Sequence, residues 1–274
     1  MTVEELYRKG IAALKDISSS PPTESMTLLA FVLHKNREWI LAHMKDSVDE
    51  ITREKFMNVT EKRQTGYPLQ YIVGRCFFFD LELIVEESVF IPRPETEVLV
   101  ETALNLIEKN NFKTVIDIGT GSGAIAIALA RHSSCHILAN DISDAALSCA
   151  RRNATKYGVL EKIEFRKGAY LEPFLSYVEK IDLIVSNPPY VSTSYNPPVE
   201  LTYEPKSALY AGEDGMNFYK TFFARYAPML KSKVILMEMS PEQKSGVKSL
   251  LSDAKKISFV DDQFGRIRFF IAML

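Results

Sequence analysis

The sequence predicts an α/β protein, in which a small helical domain precedes a doubly wound, mostly parallel sheet of seven strands. Three observations carry this. From Lys113 onward, short apolar runs alternate with amphipathic segments, the pattern of a parallel sheet with helices on both faces. The last two apolar runs, Ile257 to Val260 and Arg266 to Met273, are separated only by Asp262-Gln-Phe-Gly265 and its flanks. No helix fits between them, so the final strand must run antiparallel as a hairpin. Residues 2 to about 72 show helical periodicity throughout.

In the first segment, residues 1 to 74, Thr2 and Glu5 form a capping box ahead of Val3, Leu6, Tyr7, Ile11 and Leu14. Pro21 and Pro22 break the chain. A second helix carries Leu28, Leu29, Val32 and Leu33, and a third carries Trp39, Ile40 and Ala42 to Met44. A fourth, from about Asp49 to Gln64, buries Ile51, Phe56 and Val59 and ends at Gly66-Tyr67-Pro68. Short helices with short connections make a small bundle of their own. Its residues leave two roles open, a stabilising cap or a partner-binding module.

Residues 75 to 90 alternate at Phe77, Phe79, Leu81, Leu83 and Val85, which predicts a hairpin linking the two domains. The remaining domain, residues 91 to 274, opens with Ile91-Pro-Arg93-Pro-Glu-Thr-Glu97. Pro94 suits a helix's first turn, and Glu95 and Glu97 suit its positive end. Arg93, fixed between two prolines, is either part of that start or a group held toward a ligand. Strands are expected at Thr114 to Ile118, His136 to Ala139, Ile163 to Arg166, Ile181 to Ser186 and Lys233 to Met239. Helices are expected at Ala124 to Arg131, Asp144 to Tyr157, Met216 to Leu230 and Glu242 to Leu251, with a long Pro-rich loop running to Gly212.

Two loops in this domain carry chemistry. The first is Asp117-Ile-Gly119-Thr120-Gly121-Ser122-Gly123, between the first sheet strand and its helix. Glycines there permit tight backbone angles, and the helix start offers free N–H groups. The spacing G-x-G-x-G is not that of the dinucleotide fingerprint. Asp141, at the end of the second strand, is placed to hydrogen-bond both hydroxyls of a ribose, so the pair predicts an adenosine-containing cofactor. The second loop is Asn187-Pro188-Pro189-Tyr190, where two prolines force the chain out of the fourth strand as a stiff extended segment. An amide, proline carbonyls that no ladder must use and a phenol then meet at the sheet edge where ligands bind.

Composition narrows the chemistry further. The chain of 274 residues is 46% hydrophobic and 25% charged with a formal net charge of −2, so no global field gathers nucleic acid. No apolar run approaches the roughly 20 residues of a membrane span. The N-terminus lacks the apolar core of a signal peptide, and Cys76, Cys135 and Cys149 form no CxxC pair. A soluble, cytoplasmic protein is expected. The histidines at 34, 43, 132 and 136 stand apart, so no metal is expected, and neither a G-x-S-x-G elbow nor a P-loop occurs. What remains suits a reaction in which a cofactor carries the activation and the protein orients the nucleophile.

Glycine loop, ribose acid and N-P-P-Y together resemble class I S-adenosylmethionine-dependent methyltransferases acting on planar amide or amine nitrogens. Within them the chain is similar over its whole length to the release-factor glutamine N5-methyltransferases, called HemK or PrmC. The I-P-R-P-E-T-E run at 91 to 97 joined to N-P-P-Y is the specific signature, continued by Glu204-Pro205, Ala208-Leu209, Gly212, Asp214-Gly215 and Asp262…Gly265…Arg268. The resemblance implies a Rossmann-like methyltransferase sheet, S-adenosylmethionine as cofactor, and a cofactor site of Gly119 to Gly123, Asp141, Tyr170 and Asn187. It implies a substrate site of Asn187 to Tyr190 with Arg93 and Glu204, and a helical domain that recognises the substrate. The implied partner is a peptide-chain release factor, methylated on the glutamine of its Gly-Gly-Gln loop by a monomeric enzyme without nucleic acid or membrane. Two positions depart from the family's pattern. Ala169 precedes Tyr170 where an acidic residue is usual, and Glu238-Met239-Ser240 replaces the usual Glu-Ile-Gly, with Gln243 in its expected place.

The resemblance further implies that Asn187 and the Pro188 carbonyl accept hydrogen bonds from the substrate amide while Tyr190 packs on it. Such bonds strengthen as the nitrogen becomes tetrahedral, so they favour the transition state over the ground state. An adenine-N6 methyltransferase is the alternative that N-P-P-Y allows. It would have to flip its base and would want a basic groove, which this charge balance does not offer. A nicotinamide oxidoreductase is disfavoured by the glycine spacing, and a non-catalytic binding module would leave the two loops without a joint purpose.

Overall fold

The computed structural model describes residues Met1–Leu274, which fall into two compact units. One unit is Met1–Gly74 together with Pro197–Tyr203; the other is Arg75–Asn196 with Glu204–Leu274.

The helical unit contains α1 (Val3–Leu14), α2 (Pro21–Leu33), α3 (Arg37–Ala42), α4 (Glu50–Gln64) and α5 (Leu69–Val73). Its start is set by the reciprocal capping box of Thr2 and Glu5. Pro21 and Pro22 occupy the first turn of α2, where their missing N–H groups cost nothing, and Asp49 caps α4. The core is Val3, Leu6, Leu14, Leu28, Leu29, Ile40 and Phe56. Gly10 lets α1 approach closely, since a Cβ there would lie 2.3 Å from the Ser25 hydroxyl and 2.8 Å from the Phe56 ring. Ile51, expected in this core, is instead exposed on the outer face of α4.

Pro197–Tyr203 joins this unit although it lies within the long loop of the second domain in sequence. Arg63, whose side chain is 6% exposed, pairs with both Glu24 and Glu200. Val199 packs over Gly66, and the Tyr203 ring meets Tyr67 edge-on. These partners, distant in sequence, remove the segment from the sheet domain.

The larger unit opens with a hairpin of β1 (Arg75–Phe78) and β2 (Leu81–Ile84). The hairpin is docked rather than free. Phe78, Leu81 and Leu83 enter the sheet core, and the Glu82 and Ile84 N–H groups donate to the Tyr157 hydroxyl and to Asn153 Oδ1. Helix α6 (Glu95–Asn110) follows, then β3 (Thr114–Ile118), α7 (Ala124–His132), β4 (His136–Asp141), α8 (Asp144–Lys156), β5 (Ile163–Lys167) and β6 (Leu183–Ser186). The chain finishes with α9 (Lys206–Leu209), α10 (Asn217–Tyr226), β7 (Val234–Glu238), α11 (Lys244–Leu250), β8 (Lys256–Asp261) and β9 (Ile267–Met273).

The seven-stranded sheet has the order β5-β4-β3-β6-β7-β9-β8, with β9 antiparallel to both its neighbours. All residues of β6 and β7 are buried, as expected of central strands covered on both faces. One face packs on α6, α7 and the hairpin through Leu99, Val100, Ala126 and Leu129, and the other on Phe174, Tyr219, Phe222 and Val247. Some elements differ from the expected ones. The Pro-rich loop is not bare, because it holds a 3₁₀ turn at Val199–Tyr203 and α9. Pro228 shortens α10, whose continuation is a single 3₁₀ turn at Ala227–Met229. A kinked 3₁₀ segment at Glu172–Lys180 covers the sheet where no element was anticipated.

Candidate active site

Strand order reverses between β3 and β6, and a cleft of about 350 Å3 opens at their C-terminal ends. Gly119, Thr120, Gly121 and Ser122 form one wall. Gly119 and Gly121 have φ of +74° and +57°, and a Cβ on either would project into open space. Gly123 serves differently, since a Cβ there would lie 2.8 Å from Ile127 and 3.2 Å from Ala150. It allows α7 and α8 to pack. Beneath the turn, Asp117 Oδ2 accepts from Thr120 Oγ1 (2.7 Å) and the Ala126 N–H (3.2 Å). Full burial pushes this carboxyl up to about 7 against those bonds.

Asp141 ends β4 with both oxygens engaged. Oδ2 accepts the Gly121 N–H at 3.0 Å and Oδ1 the Ser143 N–H at 2.9 Å. Capping of α8 is done by Ser143, whose hydroxyl accepts from the Ala146 N–H, so Asp141 is free for the cleft. Burial holds its carboxyl above the usual range, opposed by the backbone donors. A carboxylate has about four acceptor positions, so each oxygen retains one. Asn140 also lines the cleft; its Nδ2 donates to the Gly168 carbonyl, while Oδ1 is buried without a donor. Tyr170 lines the same side at φ +52°, uncommon for an aromatic residue, with its ring 5.0 Å from that of Phe218.

Asn187 and Pro189, from the loop after β6, also line the cleft. Asn187 Nδ2 donates to Thr96 Oγ1 (3.0 Å), and Thr96 Oγ1 donates to Glu238 Oε2 (2.7 Å). Pro188 is buried behind them, and its carbonyl accepts no hydrogen bond from the protein. The Tyr190 hydroxyl donates to Glu238 Oε1 at 2.9 Å, so the phenol faces the sheet core rather than the cleft. Burial and the Glu238 charge push that phenol well above its ordinary range. Glu238, at the buried end of β7, is raised by burial to about 7, against its two hydroxyl donors and Arg268. Gln243 Nε2 clamps the loop by donating to the Tyr190 and Gly215 carbonyls at 2.8 and 2.9 Å. Gly215 has φ +68°, and a Cβ there would sit 2.2 Å from the Tyr190 carbonyl oxygen.

Thus Gly119 to Ser122, Asp141, Tyr170, Asn187 and Pro189 share one cleft, and the other expected residues surround it. Arg93 and Glu204 do not line it. Glu204, with its side chain 1% exposed, pairs with Arg93 and accepts the Ile91 N–H at 3.1 Å. This pair fixes the two loops that carry Pro92 and Pro205 into the cleft wall.

Comparison with known proteins adds to this geometry. Residues 5–74 match the PrmC N-terminal domain and residues 94–200 the methyltransferase small domain. A release factor glutamine methyltransferase of Dictyoglomus turgidum is 40% identical over 221 residues, covering 80% of this chain and 78% of the relative. That of Clostridium acetobutylicum is 32% identical over 94% of this chain and 93% of its own, and that of Bacillus subtilis 37% over 90% and 89%. The chain belongs to the release factor glutamine methyltransferase family. Its fold is shared more widely. The hMettl16 catalytic domain in complex with MAT2A 3'UTR hairpin 6 superposes with a TM-score of 0.56 at 18% identity, over 71% of this chain and 76% of that one. Human methyltransferase 10 domain containing protein gives 0.53 at 17% identity, over 71% and 90%.

By family and fold, this is an S-adenosylmethionine-dependent methyltransferase. The residues present fit such a cofactor: open glycine walls, the Asp141 carboxylate with spare lone pairs, and a donorless Asn140 oxygen in the same cleft. Thr96, Glu238 and Asn140 line or back the cleft without having been given a site role from the sequence, where Glu238 figures only in the family's Glu-Ile-Gly motif. Thr96 lay in plain sight within the I-P-R-P-E-T-E run, where helix capping drew attention to the glutamates instead. Glu238 was a carboxylate closing an otherwise apolar strand, a signal that marks a buried polar partner.

Proposed function

We propose that this chain transfers a methyl group from S-adenosylmethionine to the side-chain amide nitrogen of the glutamine in the Gly-Gly-Gln loop of a peptide-chain release factor. The observation that carries the reading is the orientation of Asn187. Its amide nitrogen donates to Thr96, which leaves Oδ1 as an acceptor in the cleft that also holds Asp141 and the glycine turn.

When bound, S-adenosylmethionine supplies an electrophilic methyl group. Gly119, Gly121 and Asp141 would hold it, the carboxylate by accepting from the ribose hydroxyls. Tyr170 and Phe218 offer aromatic faces on the same side. An amide nitrogen is a weak nucleophile because its lone pair is delocalised into the carbonyl. Asn187 Oδ1 and the Pro188 carbonyl each accept one N–H of the glutamine amide, fixing its plane and aiming its nitrogen. Those bonds gain strength as positive charge develops on the nitrogen. Fixed orientation of this kind substitutes for general-base activation before transfer, and the methylated nitrogen then releases one of its two protons to solvent to leave the neutral N-methyl amide. Pro92, Phe90 and Pro205 give the acceptor side an apolar wall that keeps water from competing.

The test is mass spectrometry of a release factor incubated with enzyme and cofactor. One added methyl on the Gly-Gly-Gln glutamine is expected. Its absence, with S-adenosylmethionine demonstrably bound, would overturn the assignment.

A further inference from the structure

In the chain Asn187–Thr96–Glu238–Tyr190 every donated proton points toward the Glu238 carboxylate. A Thr hydroxyl has one proton, and an ionised carboxylate can only accept. Because Thr96 Oγ1 donates to Glu238 Oε2 at 2.7 Å, its lone pair must take what Asn187 offers at 3.0 Å, and that is the NH2 edge. The carboxylate's other oxygen is held by the Tyr190 hydroxyl, and the Tyr219 hydroxyl donates to the Glu238 backbone carbonyl. Glu238 is 1% exposed, so no water freely replaces these donors.

We infer that Glu238 acts through Thr96 as a positioning residue that fixes which edge of the Asn187 amide faces the cleft. The inference rests on the reading of Asn187 Oδ1 as the acceptor of the substrate amide's N–H. Without this polarity the Asn187 amide is free to turn over. Its NH2 edge would then face the glutamine N–H groups, donor against donor, and the substrate nitrogen would lose its aim. The same carboxylate anchors Tyr190, so both ends of the N-P-P-Y turn refer to one buried charge.

Protonation of Glu238 would undo the polarity, because a carboxylic acid can donate to Thr96 and let Thr96 donate onward to Asn187 Oδ1. The groups facing Glu238 are Thr96 and Glu95 from α6, Tyr190 from the loop after β6, Tyr219 from α10 and Arg268 from β9. Arg268 and the hydroxyl donors favour the ionised form, while burial and Glu95 oppose it, leaving the carboxyl at about 7. The acid limb of kcat/KM, which reports the free enzyme, is therefore expected near that value.

The experiment uses the full-length enzyme, a release factor and S-adenosylmethionine, with Thr96→Val, Thr96→Ser and Glu238→Gln beside wild type. Thr96→Val, nearly isosteric, should lower kcat by about 10- to 100-fold, the scale of a misaimed reactant, with release-factor KM moving less. Cofactor affinity by calorimetry should stay within about threefold, since the hydroxyl's partners are protein groups. Thr96→Ser, which keeps the hydroxyl, should recover most of the loss. Glu238→Gln should lower the plateau and erase the acid limb; if it proves unfolded by thermal melt, the Thr96 pair decides alone. Thr96→Val within twofold of wild-type kcat, or Thr96→Ser as impaired as Thr96→Val, would overturn the inference. Wild-type methylation alongside unaffected variants removes this inference alone, whereas no methylation by wild type removes the reading beneath it as well.

Discussion

Asp141 offers the sharpest test of the cofactor half of the cleft, because its two tasks separate by measurement. In the ligand-free protein each oxygen already accepts one backbone N–H, from Gly121 at 3.0 Å and Ser143 at 2.9 Å. Replacement by Asn keeps the shape and one oxygen but puts an NH2 against one of those N–H groups. The resulting unpaired donor costs about 1–3 kcal/mol of folding stability, and it is present with or without ligand. Binding loses something different, namely a charge-assisted acceptor for a ribose hydroxyl, at about 1.5–3 kcal/mol. At 1.4 kcal/mol per decade this is a loss of about 10- to 150-fold in affinity. Titration calorimetry with S-adenosylmethionine reads the second quantity and a urea melt reads the first. Burial holds the Asp141 carboxyl above the usual range, so its protonated form appears at higher pH than for an exposed Asp. Affinity should therefore decline as pH falls through that raised value, and this decline should vanish in Asp141→Asn. Affinity within threefold of wild type in a variant that melts normally would remove Asp141 from the site.

Other substitutions probe the remaining parts. Asn187→Ala should abolish methylation of the release factor in the mass-spectrometric assay while S-adenosylmethionine affinity stays within a few-fold; full turnover would sink the assignment of Asn187. Glu204→Ala leaves the Arg93 guanidinium and the Ile91 N–H without their buried acceptor. Removing one partner of a buried pair costs about 3–5 kcal/mol, and the 30% exposure of Arg93 reduces this to about 2–3 kcal/mol, measurable as a shift in the urea midpoint. An unshifted midpoint would show that the pair does not hold the two loops.

The succession of the seven sheet strands and the sense of the last one can be read from the residues alone. Alternating apolar runs admit only a layered α/β sheet, and five residues between the final strands admit only a hairpin. The sequence also located the two loops that meet at the cleft, because glycine and proline act on the backbone locally: the positive φ at Gly119 and Gly121, and the departure of the chain at Pro188, need no distant partner. Asp141 was legible for a similar reason, as an acid ending a strand whose following helix has its own cap. Charges that answer one another across the chain are paired only on folding. Arg93 and Glu204 stand 111 residues apart and turn out to be partners. Thr96 and Glu238 stand 142 apart, and only folding joins them behind Asn187. Pro197–Tyr203, an unremarkable loop in sequence, belongs to the helical unit because Arg63 lies there to receive Glu200. Backbone preferences are written residue by residue, whereas the pairing of buried polar groups is settled by which elements the core brings within hydrogen-bond reach.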